Sequence, residues 1–336
     1  MFGGKILIGE DFKVAVVGLG KMGLVHASVL NVLPGVTVTA VCEKSRLIRR
    51  FARKLFRGVE VVDDVEKLEK LGINAVYVTT PIPSHFFIVK TVYDQKIASN
   101  IFVEKTLAQN YDQSKQLNER ASQLGGVNMV GYLRRFYVTF NKARELLLKD
   151  DIGTVTSFRA FAYSSDFLGT KNELKTIASR GGPLRDLGCH AVDLALWFFG
   201  RIQVISGQPM QTSGHPENRV KFRVEGSALE GEFDISWCME DYHLPEVGFS
   251  IDGSRGKLEV NDDHVRLILK NGRSSVWYRH DLNDNVPFLL GLPEYYREDL
   301  HFAECVSKGS QADSDFLAAS KVDKIINDVE NAGGKD

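Results

Sequence analysis

The segment Gly18-Leu19-Gly20-Lys21-Met22-Gly23 stands directly after the apolar run Val14–Val17 and opens a stretch of helical periodicity, Lys21–Leu33. No other feature restricts the fold as much. Glycines at this spacing permit a tight turn, a close approach of backbone to a pyrophosphate, and packing of helix on strand. The N–H groups at the helix start then face the phosphate charge. Glu43 follows the second apolar run, Val36–Cys42, twenty residues beyond Gly23. A carboxylate there accepts hydrogen bonds from the adenosine ribose hydroxyls and repels a 2′-phosphate, which predicts NAD. Lys44, Ser45 and Arg46 next to it admit NADP if Glu43 turns away. The cofactor candidates are therefore Gly18, Gly20, Lys21, Met22, Gly23, Glu43, Lys44 and Arg46.

Alternation of short apolar runs with helical segments continues for about 130 residues, giving Val14–Val17, Val36–Cys42, Val59–Val62, Ala75–Thr79, Ile101–Val103 and Val127–Val130 as strands. Helices are predicted near Arg46–Phe56, Val65–Leu71, Ser84–Gln95 and Asp112–Leu124. Apolar runs without polar alternation suit strands covered on both faces, and β-helix-β repetition demands parallel pairing. The prediction is an α/β domain over residues 1–131, a Rossmann doubly wound parallel sheet that binds NAD(P). In the helix after the second strand, Arg46, Arg49, Arg50, Arg53, Lys54 and Arg57 form a solvated face opposite Leu47, Ile48, Phe51, Ala52 and Leu55.

Beyond Gly131 the strands become turn-linked: Thr154–Tyr163, Val220–Val224, Ala228–Trp237, Val247–Ile251, Gly256–Val260, Val265–Leu269 and Ser275–Tyr278. Helices are expected at Phe136–Lys149, Asp186–Phe199, Glu294–Val306 and Asp313–Val329. Residues 132–336 thus read as an α+β domain for substrate and oligomerisation, built on a mainly antiparallel open sheet. A length of 336 residues supports two domains. Balanced charge, −1 overall, gives no field that draws the chain to nucleic acid or anionic membrane. Four cysteines without a CxxC pair read as reduced core thiols, and no motif groups metal ligands. With no signal-like or membrane-spanning apolar run, a cytoplasmic location is expected.

At the ends of the fourth and fifth strands stand Thr80-Pro81 with His85, and Glu104-Lys105-Thr106. Farther on come Gly131-Tyr132-Leu133-Arg134-Arg135-Phe136 and Gly181-Gly182-Pro183-Leu184-Arg185-Asp186-Leu187-Gly188-Cys189-His190-Ala191-Val192-Asp193. These segments resemble the TPxxxH, EKP, GxxxRF and GGGxLxDxGxHxxD motifs of the glucose-fructose oxidoreductase, inositol dehydrogenase and rhizopine-catabolism oxidoreductase (Gfo/Idh/MocA) family. Thr106 stands in place of the usual proline, and Pro183 in place of the third glycine. The resemblance runs from about residue 13 to 330 and implies that Thr80, Pro81, His85, Glu104 and Lys105 border the cofactor. It also implies hydride transfer between nicotinamide and a secondary alcohol or ketone of a sugar, sugar derivative or cyclitol.

The residues themselves support such chemistry. Lys105 follows a strand, at the sheet edge where open α/β sheets hold ligands. Asp186, His190 and Asp193 are spaced to share a helix face, and a buried stripe of that kind should face a cleft. His190 is the expected general base, Lys105 the cation that stabilises developing alkoxide charge, and Asp186 the acceptor for a neighbouring substrate hydroxyl. Asp193 is expected to orient His190. Tyr163 and Arg180, on strand-end loops with Asp166, are further substrate candidates. His26 is expected to pack, whereas His85 is open to a structural or a cofactor-lining role. Two alternatives remain: a nucleotide-sensing regulator without catalysis, and a biosynthetic carbonyl or imine reductase.

In the strand around Phe233, Ile235 and Trp237, Glu232, Asp234 and Ser236 take the opposite side. Few helices are available to cover a wide sheet, so an uncovered apolar face is expected. That expectation, with the habit of the family, predicts a homodimer or homotetramer through this sheet.

Overall fold

The computed structural model describes residues 12–168, 180–212, 215–283, 286 and 293–332, with backbone alone for 208–212 and 215–218. The chain divides into two compact units, one of Met1–Gly131 with Val286–Ser320, the other of Tyr132–Asn285 with Lys321–Asp336. The first segment of the first unit ends at Gly131. The second domain, however, was expected to run unbroken to residue 336, and residues 286–320 group instead with the first unit.

The first unit begins β1 (Phe12–Val17), α1 (Lys21–Leu30), β2 (Val36–Cys42), α2 (Arg46–Leu55) and β3 (Glu60–Val62). It continues with β4 (Ala75–Val78), α3 (His85–Asp94), β5 (Asn100–Glu104), α4 (Tyr111–Leu124) and β6 (Asn128–Gly131). The six strands pair in parallel in the order β3-β2-β1-β4-β5-β6. Fully buried Val14, Val16, Val76, Val78, Ile101 and Val103 show why their runs lack polar alternation. The segment Val65–Leu71 is helical as expected but takes the tighter 3-10 form, stopped by Gly72 in the left-handed region at φ 61°.

In the second unit α5 (Val138–Leu148) leads to β7 (Val155–Tyr163), and a π turn at Leu184–Gly188 precedes α6 (Cys189–Phe199). Seven strands follow: β8 (Gln203–Thr212), β9 (His215–Glu225), β10 (Glu230–Ser236), β11 (Glu246–Gly253), β12 (Gly256–Asn261), β13 (His264–Leu269) and β14 (Ser274–Tyr278). The sheet order is β14-β13-β12-β11-β7-β10-β9-β8, antiparallel except where β10 meets β7. Two helices complete the chain, α7 (Pro293–Lys308) and α8 (Phe316–Ala332). Helix α7 belongs to the first unit, where it packs on α1. The same unit takes Ser314, whose carbonyl accepts the Val130 N–H (2.8 Å) and whose hydroxyl donates to the Val130 carbonyl (2.7 Å). These bonds explain why the tail returns.

Helix α6 covers one face of the large sheet, with Phe199 stacked on Phe158 at 4.7 Å and Phe198 against Phe249 at 5.5 Å. The opposite face differs from expectation, because it is charged rather than apolar. Register places Arg223, Glu232, Arg159, Ser250, Glu259 and Arg266 in one cross-strand row. Arg223 and Arg159 lie 3.7 and 3.8 Å from Glu232, and Arg266 lies 3.9 Å from Glu259. Polar-apolar alternation in β7, β10 and β12 puts Phe158, Phe233, Ile235, Leu258 and Val260 on the covered face and the charges outside, where Phe161 and Tyr163 of β7 join them. The four cysteines are thiols, Cys238 half-buried and the others buried.

Candidate active site

In the first unit the glycine loop joins β1 to α1. Gly18 adopts φ +94°, and a Cβ on it would stand 2.7 Å from Thr80 Cγ2. A Cβ on Gly23 would stand 1.9 Å from the Gly18 carbonyl oxygen, so helix and strand pack at a distance only glycine allows. Gly20 is the opposite case: no atom lies within 4 Å of its Cβ position, and no side chain caps α1 there. The first-turn N–H groups of α1 thus open onto space shaped for an anion. Glu43 lies beside this loop as its spacing predicts. Leu19 N–H donates to Glu43 Oε2 (2.9 Å) and Ser45 N–H to Glu43 Oε1 (2.8 Å), which leaves lone pairs on each oxygen for ribose hydroxyls. These features fit NAD. Lys44 and Arg46 are exposed beside Glu43.

Of the six cations expected to form a solvated face on and just beyond helix α2, Arg46, Arg50, Arg53, Lys54 and Arg57 are exposed, and Arg49 alone is half-buried. Arg49 folds inward, donating to the carbonyls of Glu43 (2.7 Å) and Lys44 (2.6 Å), and Arg53 donates to that of Val61 (3.4 Å). Leu47, Phe51 and Leu55, expected to pack, are instead 65, 63 and 68% exposed. Only Ala52 of the helix is buried.

The loops after β4 and β5 are tied by His85, whose ring nitrogens lie 2.7 Å from the Thr80 carbonyl and 2.8 Å from that of Thr106. His85 is therefore a brace between Thr80-Pro81 and the Lys105 loop, and the Lys105–Thr106 peptide is cis. Glu104 Oε2 accepts the Lys105 N–H (3.0 Å), while Oε1 lies 3.1 Å from His26 Nε2. His26 does more than fill space, a role sequence spacing does not reveal.

In the second unit Asp186 sits inside the π turn and His190 in the first turn of α6, not on one uniform helix beginning at Asp186. Arg180 Nε donates to Asp186 Oδ2 (2.8 Å), and its Nη2 donates to Asp166 Oδ2 (3.0 Å). The guanidinium lies over Phe167 and Trp237, 5.3 and 5.4 Å from the ring centroids. His190 is 8% exposed, and Tyr132 stands edge-on to its ring. Asp193 does not serve as the orienting acid expected for His190. Arg135 holds it in a two-pronged bond, Nε to Oδ2 (2.8 Å) and Nη2 to Oδ1 (2.6 Å). Burial pushes the Asp193 carboxyl up against the pull of that guanidinium. Arg135 lies in the segment quoted above as Gly131–Phe136, so its position was visible but its task was not. Its neighbour Arg134 donates to both oxygens of Asp262 (3.1 and 2.9 Å), which gives that turn acid a structural role.

Tyr163 does not join Asp186 and His190. It alternates with Ala162 on β7 and faces the charged side of the sheet, stacked on Phe161 at 4.9 Å, while α6 lies across the other face. Burial, and after it the charge and hydrogen bond of Asp234, push its phenol up to about 12. Among the described residues no group of three or more His, Cys, Asp or Glu is placed to hold a metal ion.

Residues 12–132 match the family model described as "Oxidoreductase family, NAD-binding Rossmann fold", and residues 140–259 match the "GFO/IDH/MocA C-terminal domain". The chain belongs to the Gfo/Idh/MocA family. Scyllo-inositol 2-dehydrogenase (NAD(+)) of Bacillus subtilis (strain 168) is 28% identical over 89% of this chain and 87% of its own. Trans-1,2-dihydrobenzene-1,2-diol dehydrogenase of Xenopus tropicalis is 25% identical over 89 and 93%. A solved levoglucosan dehydrogenase in complex with NADH and L-sorbose superimposes with a TM-score of 0.85 over 97% of this chain and 98% of its own, at 18% identity. The chain is thus a Gfo/Idh/MocA oxidoreductase whose cofactor is NAD. Among the described residues no helix is long and apolar enough to cross a membrane.

Proposed function

We propose that this Gfo/Idh/MocA chain interconverts a secondary alcohol and the corresponding ketone on a small polyhydroxylated molecule, a sugar, sugar derivative or cyclitol. The observation that carries the reading is the half-buried Asp186 and the buried His190 one helical turn on, set beside the Arg180 guanidinium and the Trp237 and Phe167 rings. An imidazole and a partly buried carboxylate set against aromatic rings are a common way to meet a polar ligand. NAD supplies the acceptor for the hydride that leaves carbon. His190 takes the hydroxyl proton through a ring nitrogen, and the Lys105 ammonium stabilises the negative charge growing on that oxygen. Asp186 accepts a hydrogen bond from an adjacent hydroxyl, which displaces part of its bond to Arg180. In the reducing direction the same groups return the proton.

The reading also holds that NAD is preferred to NADP, supported by the Glu43 carboxylate at the loop, and that the protein is a homo-oligomer. A reduced-nicotinamide absorbance screen over sugars, sugar acids, cyclitols and nucleotide sugars, with each cofactor, tests it. Turnover of at least one polyol is expected. Tight NAD binding with no turnover on any of them points to a nucleotide-sensing regulator and overturns the enzymatic reading.

A further inference from the structure

The deepest charge cluster of the first unit has no part in the chemistry above. His26 is wholly buried on α1, three residues beyond Gly23. Its Nδ1 lies 2.8 Å from Asp299 Oδ1 on α7, and its Nε2 lies 3.1 Å from Glu104 Oε1 at the end of β5. Carboxylate oxygens accept and do not donate, so with one at each nitrogen the ring carries both protons and is an imidazolium, whose charge counters the burial that pushes the Asp299 carboxyl up. Burial opposes that charge, but Asp299 and Glu104 outweigh it and hold the imidazole well above its usual value. Tyr77 from β4, Phe102 from β5 and Tyr295 from α7 wall it in at centroid distances of 5.7, 5.0 and 5.8 Å, with Glu298 of α7 acting on Tyr77.

The far oxygen of Glu104 accepts the Lys105 N–H. We propose that His26 is a positioning residue for Lys105: clamped between Asp299 and Glu104, it holds the Glu104 carboxylate on the Lys105 amide and so fixes the backbone that carries the lysine. One cation thereby joins the helix that opens at the glycine loop, the strand that ends at Lys105 and the helix returned by the chain's tail. Without the imidazolium, Glu104 is a buried carboxylate on which Lys105 is the other acting cation. Its charge then draws the lysine side chain toward the strand end and away from a substrate oxygen. The importance of Lys105 to turnover rests on the proposed function, whereas the bond from His26 through Glu104 to the Lys105 amide does not.

The test uses the full-length protein labelled with 15N-lysine, carrying His26→Leu, Glu104→Gln or both, with NAD bound. Lys105 amide exchange is expected to quicken about tenfold or more in each single variant, while the Lys142 amide is unchanged and kcat falls ~10- to 100-fold, as for other groups that orient a catalytic side chain. NAD affinity should stay within about threefold. The double variant should be no worse than the worse single one, because both changes break the same chain of contacts. If His26→Leu does not fold, Asp299→Asn is the second variant, expected to quicken Lys105 exchange in the same way. A folded variant with unchanged Lys105 exchange, or a double variant whose losses multiply, overturns the proposal. If the wild type turns over no polyol, the functional reading fails, and amide exchange still decides the His26 link.

Discussion

At the scale of single residues, charge placed by backbone hydrogen bonds decides the chemistry. Two amides, of Leu19 and Ser45, aim the Glu43 carboxylate at the glycine loop, while Lys44 and Arg46 stand exposed beside it. Glu43→Ser removes the repulsion of a 2′-phosphate and leaves those cations to attract it. The ratio of kcat/KM for NADP to that for NAD is expected to rise by about tenfold or more, read from initial rates with each cofactor. An unchanged ratio removes Glu43 from the choice. Lys105→Ala and His190→Ala should each lower kcat about a hundredfold with NAD affinity nearly unchanged, since positioned acid-base groups contribute ~10²–10⁴. Near-normal turnover in both sinks the assignment. The His26 bridge has a pH signature too. A group whose pKa is raised on folding adds stability that is whole below its unfolded value and fades as pH climbs through the folded one. Urea unfolding followed from neutral to about pH 10 should show a decline on the alkaline side that His26→Leu flattens. Parallel curves for the two proteins would count against the buried imidazolium.

At the scale of elements, burial and sequence pattern agree in some places and part in others. All six parallel strands were legible because strands covered on both faces are apolar throughout, as in Ala75–Val78. Strand β8 was not, because an edge strand containing Gly207 and Pro209 needs neither alternation nor a full set of N–H donors. The site divides in the same way. The glycine motif fixes the chain distance that sets Glu43 beside its loop, whereas the helical spacing of Asp186 and His190 does not announce the π turn that holds Asp186. The task of Asp193 was misjudged, since its partner Arg135 is 58 positions away. Asp299 is 273 positions from His26, so no local pattern announces it. Helix α2 shows the limit of amphipathic reading: five cations dominate its pattern, yet the small Ala52 makes the contact and Leu47, Phe51 and Leu55 face water. Replacing any of these three by Gln should move the unfolding free energy by no more than about 0.5 kcal/mol in urea titrations, as expected for exposed positions. A loss of about 2 kcal/mol would show that the row is covered in solution.

At the scale of the whole molecule, the charged sheet face alters the argument for assembly. An uncovered apolar surface was the expected driving force, and the face instead carries Arg223, Glu232, Arg159, Glu259 and Arg266 in alternating sign. Exposed pairs of this kind each contribute about 1 kcal/mol at most, so as a monomer surface the row needs no cover. A two-fold copy docked on it must exchange these pairs for pairs across the interface, which makes association specific in register and sensitive to salt. Light scattering at micromolar concentration is expected to show a dimer or tetramer in dilute buffer and a shift toward the 37.5 kDa monomer at ~1 M salt. A monomer under both conditions refutes the homo-oligomer.

The return of residues 286–320 to the first unit has a consequence for synthesis. A ribosome that has released residue 131 has supplied all six parallel strands, yet not the Ser314 that bonds to Val130 of β6 or the Asp299 that completes the clamp on His26. The nucleotide-binding half therefore waits, with one of the two carboxylates that hold the His26 ring still missing, while the entire second sheet is made. The half that starts first is among the last to be finished, and the nascent chain needs protection for as long as that interval lasts.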